Sequence, residues 1–404
     1  MADLHDVIII GAGPGGSTAA YELARAGLDV LALDKATFPR DKTCGDGLTP
    51  RALRVLDTMG LLDRVLSAAA CHHTITFVAP RGHTASADVI SHDERYQSVA
   101  IVPRLILDNL LLEHAVASGA QFIGSARVTD LRRESDCMVV EAIQGKQPVT
   151  HRSRIVIIAT GASTGLLVKM GILRRPPAMM LACRAYYDGI THLDQSVQCR
   201  FDGVPLPGYG WVFPLSPTRA NIGAGIFRGG IASWWMPESA RTVFDNFLRT
   251  PSLRRLLEGA HLDGPVKGYP IRIDFARAPT YAERVLLIGE AAGLVNPVTG
   301  EGIDYAMESA HIAAEQITAM FASGDFSLTP LRAYDHRLRQ AYQRLFRLSD
   351  RLRLCYLNPF IVNRAVQAAS HRRDLRDAYM NIVMENDDPL QALSPNTLAK
   401  VLLG

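Results

Sequence analysis

The sequence lacks long hydrophobic runs, a large net charge and closely spaced cysteines. No apolar stretch approaches the roughly 18 residues that a membrane span needs, so any membrane contact should be peripheral. The first residues, MADLHDVIII, lack the basic region of a signal peptide, which predicts a cytoplasmic protein. A net charge of +3 is too small to indicate nucleic-acid binding. The six cysteines form no CxxC pair and no ligand-like spacing with histidine, so we expect reduced thiols and no metal site.

Glycines follow the first predicted strand at a spacing typical of dinucleotide binding. The β-branched run at residues 6–10 predicts a buried parallel strand, and Gly11, Gly13 and Gly16 after it satisfy GxGxxG. A helix pattern follows, and a second strand pattern ends at Asp34. Glycine permits a tight turn and a close approach of the backbone to a pyrophosphate, which the N-terminus of the helix attracts. The carboxylate of Asp34 can accept both hydroxyls of an adenosine ribose, and it disfavours a 2'-phosphate.

A second glycine-containing segment indicates which dinucleotide binds. VLLIG, near residue 287, predicts another buried strand, and Gly300 and Gly302 precede a helix pattern that runs through Ala310. The N-terminus of such a helix carries about half a positive charge. That charge would stabilise the negative charge that forms on the pyrimidine of a reduced flavin. NAD has no such group, so the sequence predicts FAD.

These motifs resemble those of the FAD-dependent glutathione-reductase-like superfamily of the hydroxylase type. Where that superfamily has Gly-Asp-Ala-Ala, this chain has Gly289-Glu290-Ala-Ala, so the resemblance implies a ribityl contact through a side chain that is one methylene longer. Arg104 matches the arginine that approaches the flavin. Thr160-Gly161 stands where hydroxylases have Asp-Gly, which weakens the expectation of a hydroxylase-type NADPH site.

Two further motifs resemble the geranylgeranyl reductase family. CGDGLTPRAL, which begins at Cys44, matches the segment that reads Cys-Gly-Gly-Gly in archaeal members, and it should fold over the isoalloxazine. PLPGYGWVFPL carries the YxWxFP pattern at Tyr209, Trp211, Phe213 and Pro214. The resemblance covers roughly residues 5 to 325. It implies an FAD-dependent reductase that saturates C=C bonds of a polyprenyl (geranylgeranyl-type) chain.

The expected fold class is α/β. Residues 1–70, 99–180 and 280–325 should form a discontinuous, Rossmann-like FAD-binding domain around a parallel sheet. Residues 71–98 and 181–279 should form an inserted substrate-binding domain with a mostly antiparallel sheet, because their apolar residues alternate.

Residues 326–404 should form a helical C-terminal region that is rich in arginine. These helices have two interpretations. They pack on the body of the protein with the arginines in water, or they lie on an anionic membrane surface, where lipid-linked substrates reside.

The resemblance implies that reduced FAD delivers hydride from N5 to one alkene carbon while a proton reaches the other. Because no carbonyl polarises the alkene, a positioned acid should matter. Cys44 and Tyr209 are candidates for that acid or for positioning the substrate, and Trp211 should contribute to an apolar surface opposite the flavin. The alternative is structural, with Cys44 a small buried residue and the aromatic residues part of the core. An external electron donor is implied, for which NAD(P)H is a candidate.

The predicted cofactor-binding residues come from all of these motifs. They are Gly11, Gly13, Pro14, Gly15, Gly16, Asp34, Lys35, Cys44, Gly45, Arg104, Val128, Thr160, Gly161, Gly289, Glu290, Gly300, Gly302 and Ile303.

Three other functions compete with prenyl reduction. A flavin halogenase needs a lysine beside a chloride-fed tunnel, and no lysine occurs between Lys42 and Lys146. An FAD-dependent monooxygenase, or another tailoring oxidoreductase acting on an apolar or aromatic metabolite, is the main alternative, and Thr160 counts against it. A non-catalytic flavoprotein would leave the thiol-containing loop and the aromatic strand without a purpose.

Overall fold

The computed structural model describes residues 4–91, 93–227, 239–355 and 358–384. Its strands are β1 (Leu4–Ile10), β2 (Val30–Leu33), β3 (Gly47–Leu48), β4 (Ala70–His72), β5 (Thr74–Val78), β6 (Thr84–Asp88), β7 (Val99–Ile101), β8 (Gln121–Ile123), β9 (Ala126–Glu134), β10 (Cys137–Gln144), β11 (Gln147–Ile158), β12 (Met179–Asp188), β13 (Val197–Arg200), β14 (Tyr209–Pro214), β15 (Ala220–Phe227), β16 (His261–Arg272), β17 (Tyr281–Ala282) and β18 (Val285–Leu287). Its α-helices are α1 (Pro14–Arg25), α2 (Pro50–Thr58), α3 (Leu62–Leu66), α4 (Arg104–Ala117), α5 (Gly165–Lys169), α6 (Ala240–Leu248), α7 (Pro251–Leu256), α8 (Ile303–Ser323), α9 (Leu328–Cys355), α10 (Pro359–His371) and α11 (Arg373–Val383). The predicted α/β fold class is confirmed.

The first sheet is built around parallel strands in the order β18-β11-β1-β2-β8. Val7, Ile8 and Ile9 in β1 are fully buried, as expected for a parallel strand with both faces covered. Helix α1 packs against α4 and α8. Because the strands run in the same direction, their carboxyl ends lie along one edge of the sheet. The turns that follow β1, β2, β11 and β18 therefore meet there.

An antiparallel extension, which the sequence did not predict, joins this sheet. Residues 147–153 of β11 pair with β10, which in turn pairs with β9. The last residues of the same strand, from Arg152 to Ile158, pair with β1, so Arg152 and Ser153 pair with a strand on each side. One long strand thus belongs to both parts of the sheet.

The second sheet has the order β16-β12-β15-β14-β13-β5-β6 and is antiparallel except where β13 pairs with β5. Helix α6 packs against β12 and β15, where Phe244 and Phe247 are fully buried. A small third sheet contains β3, β7 and β4. The strands of the second sheet fall within the two ranges predicted for the substrate-binding domain, except that β12 begins two residues before the second range, and the domain boundaries themselves stay a prediction.

Helices α9, α10 and α11 follow the two sheets. α9 packs on α8, with Tyr334 and Phe346 buried, and α10 and α11 contact β6. The arginine-rich pattern after α9 forms two helices, because the chain at Arg372 is extended (φ −124°). Residues 385–404 of the predicted helical region lie outside the described residues. Within the described part of the chain, no helix is both long and apolar enough to cross a membrane.

Candidate functional site

A cavity of about 790 Å³ lies where the carboxyl edge of the parallel sheet faces the second sheet. Nearly all of the residues predicted from the sequence line it. These are Gly11, Gly13, Pro14, Gly15, Asp34, Lys35, Cys44, Gly45, Arg104, Val128, Thr160, Gly161, Tyr209, Trp211, Gly289, Glu290, Gly300, Gly302 and Ile303. Gly16 is not part of the lining. The fold therefore brings residues from all of the predicted motifs to one cavity.

The glycines after β1 are required by close backbone contacts. A Cβ at Gly11, where φ is +104°, would lie 2.4 Å from the Ala159 carbonyl oxygen. A Cβ at Gly16 would lie 1.8 Å from the Gly11 oxygen, so Gly16 serves helix packing and does not contact the cavity. Gly13 is the N-cap of α1 and has no side chain to cap it. The first N–H groups of α1 remain available to a pyrophosphate, and the turn fits a dinucleotide.

Asp34 is held at the end of β2 by its own turn. One of its carboxylate oxygens accepts a hydrogen bond from Ala12 N (2.8 Å), and the other accepts one from Ala36 N (2.8 Å). The side chain is buried but lines the cavity. Each oxygen has a further lone pair, so the carboxylate can still accept ribose hydroxyls.

Two arginines share one buried carboxylate beside the N-terminus of α1. Asp108, which is fully buried, pairs with Arg104 (2.6 and 2.8 Å) and with Arg40 (3.0 Å). A Cβ placed on Gly13 would lie 3.4 Å from Arg40 Nη2 and 4.0 Å from Arg104 Nη2. Burial opposes the charge of Arg104, but the Asp108 carboxylate outweighs it and raises the pKa of Arg104. The charge of Arg104 is therefore stabilised where the pyrophosphate would lie, and Arg40 lies beside it.

Arg40 and Asp108 were not among the predicted site residues. The available signal was the i,i+4 spacing of Arg104 and Asp108 on a predicted helix, which favours an ion pair. That Arg40 joins this pair could not be inferred, because the loop that carries it follows no periodic pattern.

Glu290 lies in a 3₁₀ turn at residues 289–292, directly after β18. Its carboxylate accepts hydrogen bonds from Arg272 N (3.1 Å) and Lys42 Nζ (3.2 Å). Burial opposes the charge of Lys42, but Glu290 outweighs it and raises the pKa of the lysine. A Cβ on Gly161 would lie 3.2 Å from Glu290 Oε2. Glu290, Lys42 and Gly161 thus meet on the cavity surface between the two glycine-containing segments.

Helix α8 begins at the cavity, as the glycines before it indicated. Gly302 is its N-cap and has no side-chain cap, and the helix is 21 residues long. Gly300 has φ +73°, and a Cβ there would lie 3.0 Å from the Tyr209 hydroxyl. The partial positive charge of α8 is therefore directed at the part of the cavity next to Tyr209.

Tyr209, Trp211 and Phe213 form the aromatic row of β14. All three line the cavity, and neighbouring ring centroids are 6.2 and 6.3 Å apart. Gly223 lies opposite Trp211 in β15, and a Cβ there would lie 2.1 Å from the indole. Glycine at that position therefore makes room for the large ring.

The hydroxyl group of Tyr209 is already engaged in a hydrogen bond. It donates to the Thr299 carbonyl oxygen in the loop before α8. Burial raises the pKa of Tyr209. A phenol that holds its proton more tightly than usual is a weaker acid, so this geometry favours a positioning role for Tyr209 over proton donation.

Cys44 is half-buried and lies in the thiol loop, residues 41–47. Its thiol lies near the Arg104 guanidinium. A Cβ on the neighbouring Gly45 would lie 2.9 Å from the Phe213 ring. The thiol loop therefore lies directly against the aromatic row, and glycine beside the thiol permits this close approach.

Within the thiol loop, Asp46 is fully buried and adopts a left-handed conformation (φ 66°). Its Oδ2 accepts hydrogen bonds from the Tyr186 hydroxyl (2.6 Å) and from Asn221 Nδ2 (2.7 Å). The same amide group donates to the Cys44 carbonyl (2.8 Å) and accepts from Trp211 Nε1 (3.0 Å). Asn221 thus links the thiol loop to the aromatic row.

Burial raises the pKa of Asp46 to about 6, although the hydrogen bonds from Tyr186 and Asn221 and the charges of Arg184 and Arg104 oppose the shift. Asp46 Oδ1 is buried and has no hydrogen-bond partner among the described residues. The sequence did not single out Asp46, and an acid between two glycines was its only signal.

No group of three or more histidine, cysteine, aspartate or glutamate side chains is arranged to hold a metal ion in the part of the chain that the structure describes.

Comparisons with known proteins identify the same cofactor. Residues 5–170 match the FAD binding domain family. A menaquinone reductase of Mycobacterium tuberculosis is 33% identical over 371 residues, covering 88% of this chain and 85% of that protein. Digeranylgeranylglycerophospholipid reductase 1 of Methanopyrus kandleri is 32% identical over 347 residues, covering 84% and 88%.

Solved structures share the fold. A geranylgeranyl bacteriochlorophyll reductase-like protein of Thermoplasma acidophilum superposes with a TM-score of 0.83 at 20% identity, covering 98% of this chain and 99% of that one. A flavin-dependent brominase superposes with a TM-score of 0.76 at 20% identity, covering 99% and 98%. Fold alone therefore does not separate reduction from halogenation. By sequence, the chain belongs to the geranylgeranyl reductase family of FAD-dependent oxidoreductases.

Proposed function

We propose that this protein saturates C=C bonds of a polyprenyl chain. The observation that carries the proposal is the arrangement of the thiol loop, the aromatic row and the N-terminus of α8 around one end of the cavity. Relatives named as reductases of a menaquinone and of a digeranylgeranyl lipid support a substrate with an isoprenoid chain.

The cofactor end of the cavity would hold FAD through positively charged groups and through carboxylates. The N-terminus of α1 and the pair Arg40 and Arg104 would bind the pyrophosphate. Asp34 would accept the ribose hydroxyls, and Glu290, with Lys42 beside it, would contact the ribityl chain. The N-terminus of α8 would stabilise negative charge at the pyrimidine edge. When bound and reduced, the flavin would supply a hydride.

The substrate end of the cavity is apolar. Ile75, Phe77, Val99 and Val197 line it beside the aromatic row. A prenyl chain offers only methyl groups and isolated double bonds, so shape and burial must hold it. This surface would orient one double bond and exclude water from it.

The protein itself would supply the proton that the second alkene carbon receives. Saturation of one bond adds a hydride to one carbon and a proton to the other. Cys44 is the candidate proton donor because it lines the cavity and carries an exchangeable proton, whereas the hydroxyl of Tyr209 donates to Thr299. Tyr209 would instead hold the loop before α8 against the substrate pocket.

The electron donor and the membrane contact complete the proposal. An external donor such as NAD(P)H would reduce the FAD. Helix α9 carries four exposed arginines along one side. Their spacing is three to four residues or a multiple of it, and they are Arg332, Arg344, Arg347 and Arg351. Such a basic surface would attract anionic lipid, where prenylated substrates reside.

Product analysis tests the proposed function. The FAD-loaded enzyme is incubated with a reductant and with prenyl diphosphates, prenylquinones or prenyl lipids, and the products are weighed. We expect two added hydrogen atoms for each bond reduced. A product that gains oxygen or halogen would contradict the proposal and favour a monooxygenase or a halogenase.

A further inference from the structure

A second cavity, which the function proposed above does not use, adjoins the main one. Its volume is about 340 Å³, and we call it the outer groove. Phe201 lines both the outer groove and the main cavity. Its ring centroid is 6.5 Å from that of Tyr209, and its backbone N–H donates to Val78 O (2.8 Å). Phe201 is therefore held between the aromatic row and the outer groove.

The lining of the outer groove is apolar. Pro80, Pro205 and Pro359 contribute rings to it, and Val204 and Leu206 contribute aliphatic groups. Prolines have no backbone N–H, so this surface offers few hydrogen-bond donors to a ligand. A hydrocarbon loses nothing by leaving water for such a surface, whereas a polar ligand would find few partners.

The apolar surface continues outward at the start of α10. Pro359 lies at the rim, and the next residue, Phe360, has 58% of its surface exposed. Large exposed aromatic side chains beside an apolar cavity are typical of a binding surface for an apolar ligand. Phe201 thus lies between the main cavity and the outer groove, and the outer groove lies beside the exposed ring of Phe360.

The main cavity must hold the whole FAD molecule and the reacting double bond together, which limits the length of chain that fits beside them. We propose that the outer groove binds the part of a long prenyl chain that lies beyond the reacting bond, and that Phe201 determines which chain lengths are accepted. This inference rests on the proposed function and adds a subsite and a specificity-determining residue to it.

The experiment compares two substrates with the same quinone head group and either two or eight isoprene units. Asn246 lies at the exposed side of the outer groove on α6, and Asn246→Trp would fill the groove from outside. We compare kcat/KM for the long substrate, divided by kcat/KM for the short one. We expect Asn246→Trp to lower this ratio by at least about tenfold, because the far end of the long prenyl chain loses the apolar surface that buries it. Phe201→Trp should lower the same ratio, and Phe201→Ala should raise it.

A matched control is Arg241→Trp, which adds the same side chain at an exposed position of α6 that lines neither cavity. The control should leave the ratio as it is in the wild type. An unchanged ratio in Asn246→Trp, or an equal loss in the control, would overturn the inference.

Photolabelling separates this inference from the proposed function. An eight-unit prenylquinone with a diazirine at its far end is bound to the oxidised FAD enzyme and irradiated, so no turnover is needed. We expect the label on the peptides that contain Leu206 and Pro359, and its loss in Asn246→Trp. Label elsewhere would refute the outer groove as the subsite even if the enzyme reduces prenyl chains. Label in the outer groove without any reduction would refute the proposed reaction alone.

Discussion

Asp46→Asn should become more favourable for stability as pH rises. Relative to the wild type, the free energy of unfolding of the variant should be higher at neutral pH than in acid. The wild-type carboxyl is buried, and one of its oxygens has no partner among the described residues, so ionisation is costly there. Asparagine has the same shape and keeps an oxygen that can accept from Tyr186 and Asn221. It also adopts the left-handed conformation at this position readily (φ 66°).

The size of the effect follows from the pKa of Asp46, which burial raises from 3.8 to about 6. Between these two values the native state holds a proton that the unfolded chain has released, so the free energy of unfolding falls as pH rises. Each pH unit costs about 1.4 kcal/mol, so the wild type loses about 3 kcal/mol in all. The loss is complete above about pH 6.

The assay is urea unfolding of wild type and variant at a series of pH values from 4 to 7.5, with the same excess of FAD. The difference between the two free energies of unfolding removes the contributions of all other titrating groups. It should move in favour of Asp46→Asn by about 2.5 kcal/mol across the series, because a small part of the loss has already occurred at pH 4, and most of the change should lie below about pH 6.

Asp136→Asn, at an exposed turn between β9 and β10, is the matched control, because its carboxyl is solvated in both states. The reasoning fails if the difference for Asp46→Asn does not vary with pH, or if the variant becomes relatively less stable as pH rises. Either outcome would mean that the buried carboxyl is not destabilised by ionisation.

Three further predictions concern the cofactor turn, the thiol and the basic helix. Gly16→Ala should yield protein without flavin absorbance, because the added Cβ would lie 1.8 Å from a backbone oxygen. The control Gly165→Ala should retain FAD, because nothing lies within 4 Å of a Cβ at that position. Normal flavin content in Gly16→Ala would contradict the prediction. Cys44→Ala should keep FAD but slow single-turnover alkene reduction by about a hundredfold, and an unaltered rate would remove the thiol from the mechanism. Arg347→Glu combined with Arg351→Glu should reduce co-sedimentation with anionic vesicles, and equal binding of both proteins at all salt concentrations would exclude a basic membrane-contact surface.

The parallel sheet and the cofactor end were predictable because their geometry is encoded locally. The glycine at position 16 is required by a contact with Gly11 in the same strand, turn and helix, so the spacing alone identifies it. The aromatic row was predictable for the same reason, since alternate residues of a strand face the same side. Helix α8, which begins directly after Gly302, also starts where the pattern predicted.

The polar network around Asp46 was not predictable from the sequence. Tyr186 and Asn221 are 140 and 175 residues away from Asp46 along the chain. No periodic pattern connects such positions, and only the packing of the thiol loop on β12 and β15 brings them together. The outer groove was missed for a similar reason, since Pro80, Val204 and Pro359 come from three distant segments.

The most direct test of the central claim is reoxidation of the anaerobically reduced enzyme by prenyl compounds. We expect a prenylated substrate to restore the oxidised flavin spectrum, with one bond saturated and two hydrogen atoms gained for each flavin reoxidised. A reduced enzyme that no prenyl compound reoxidises, but that oxygen and an aromatic metabolite turn over with incorporation of oxygen, would contradict the account.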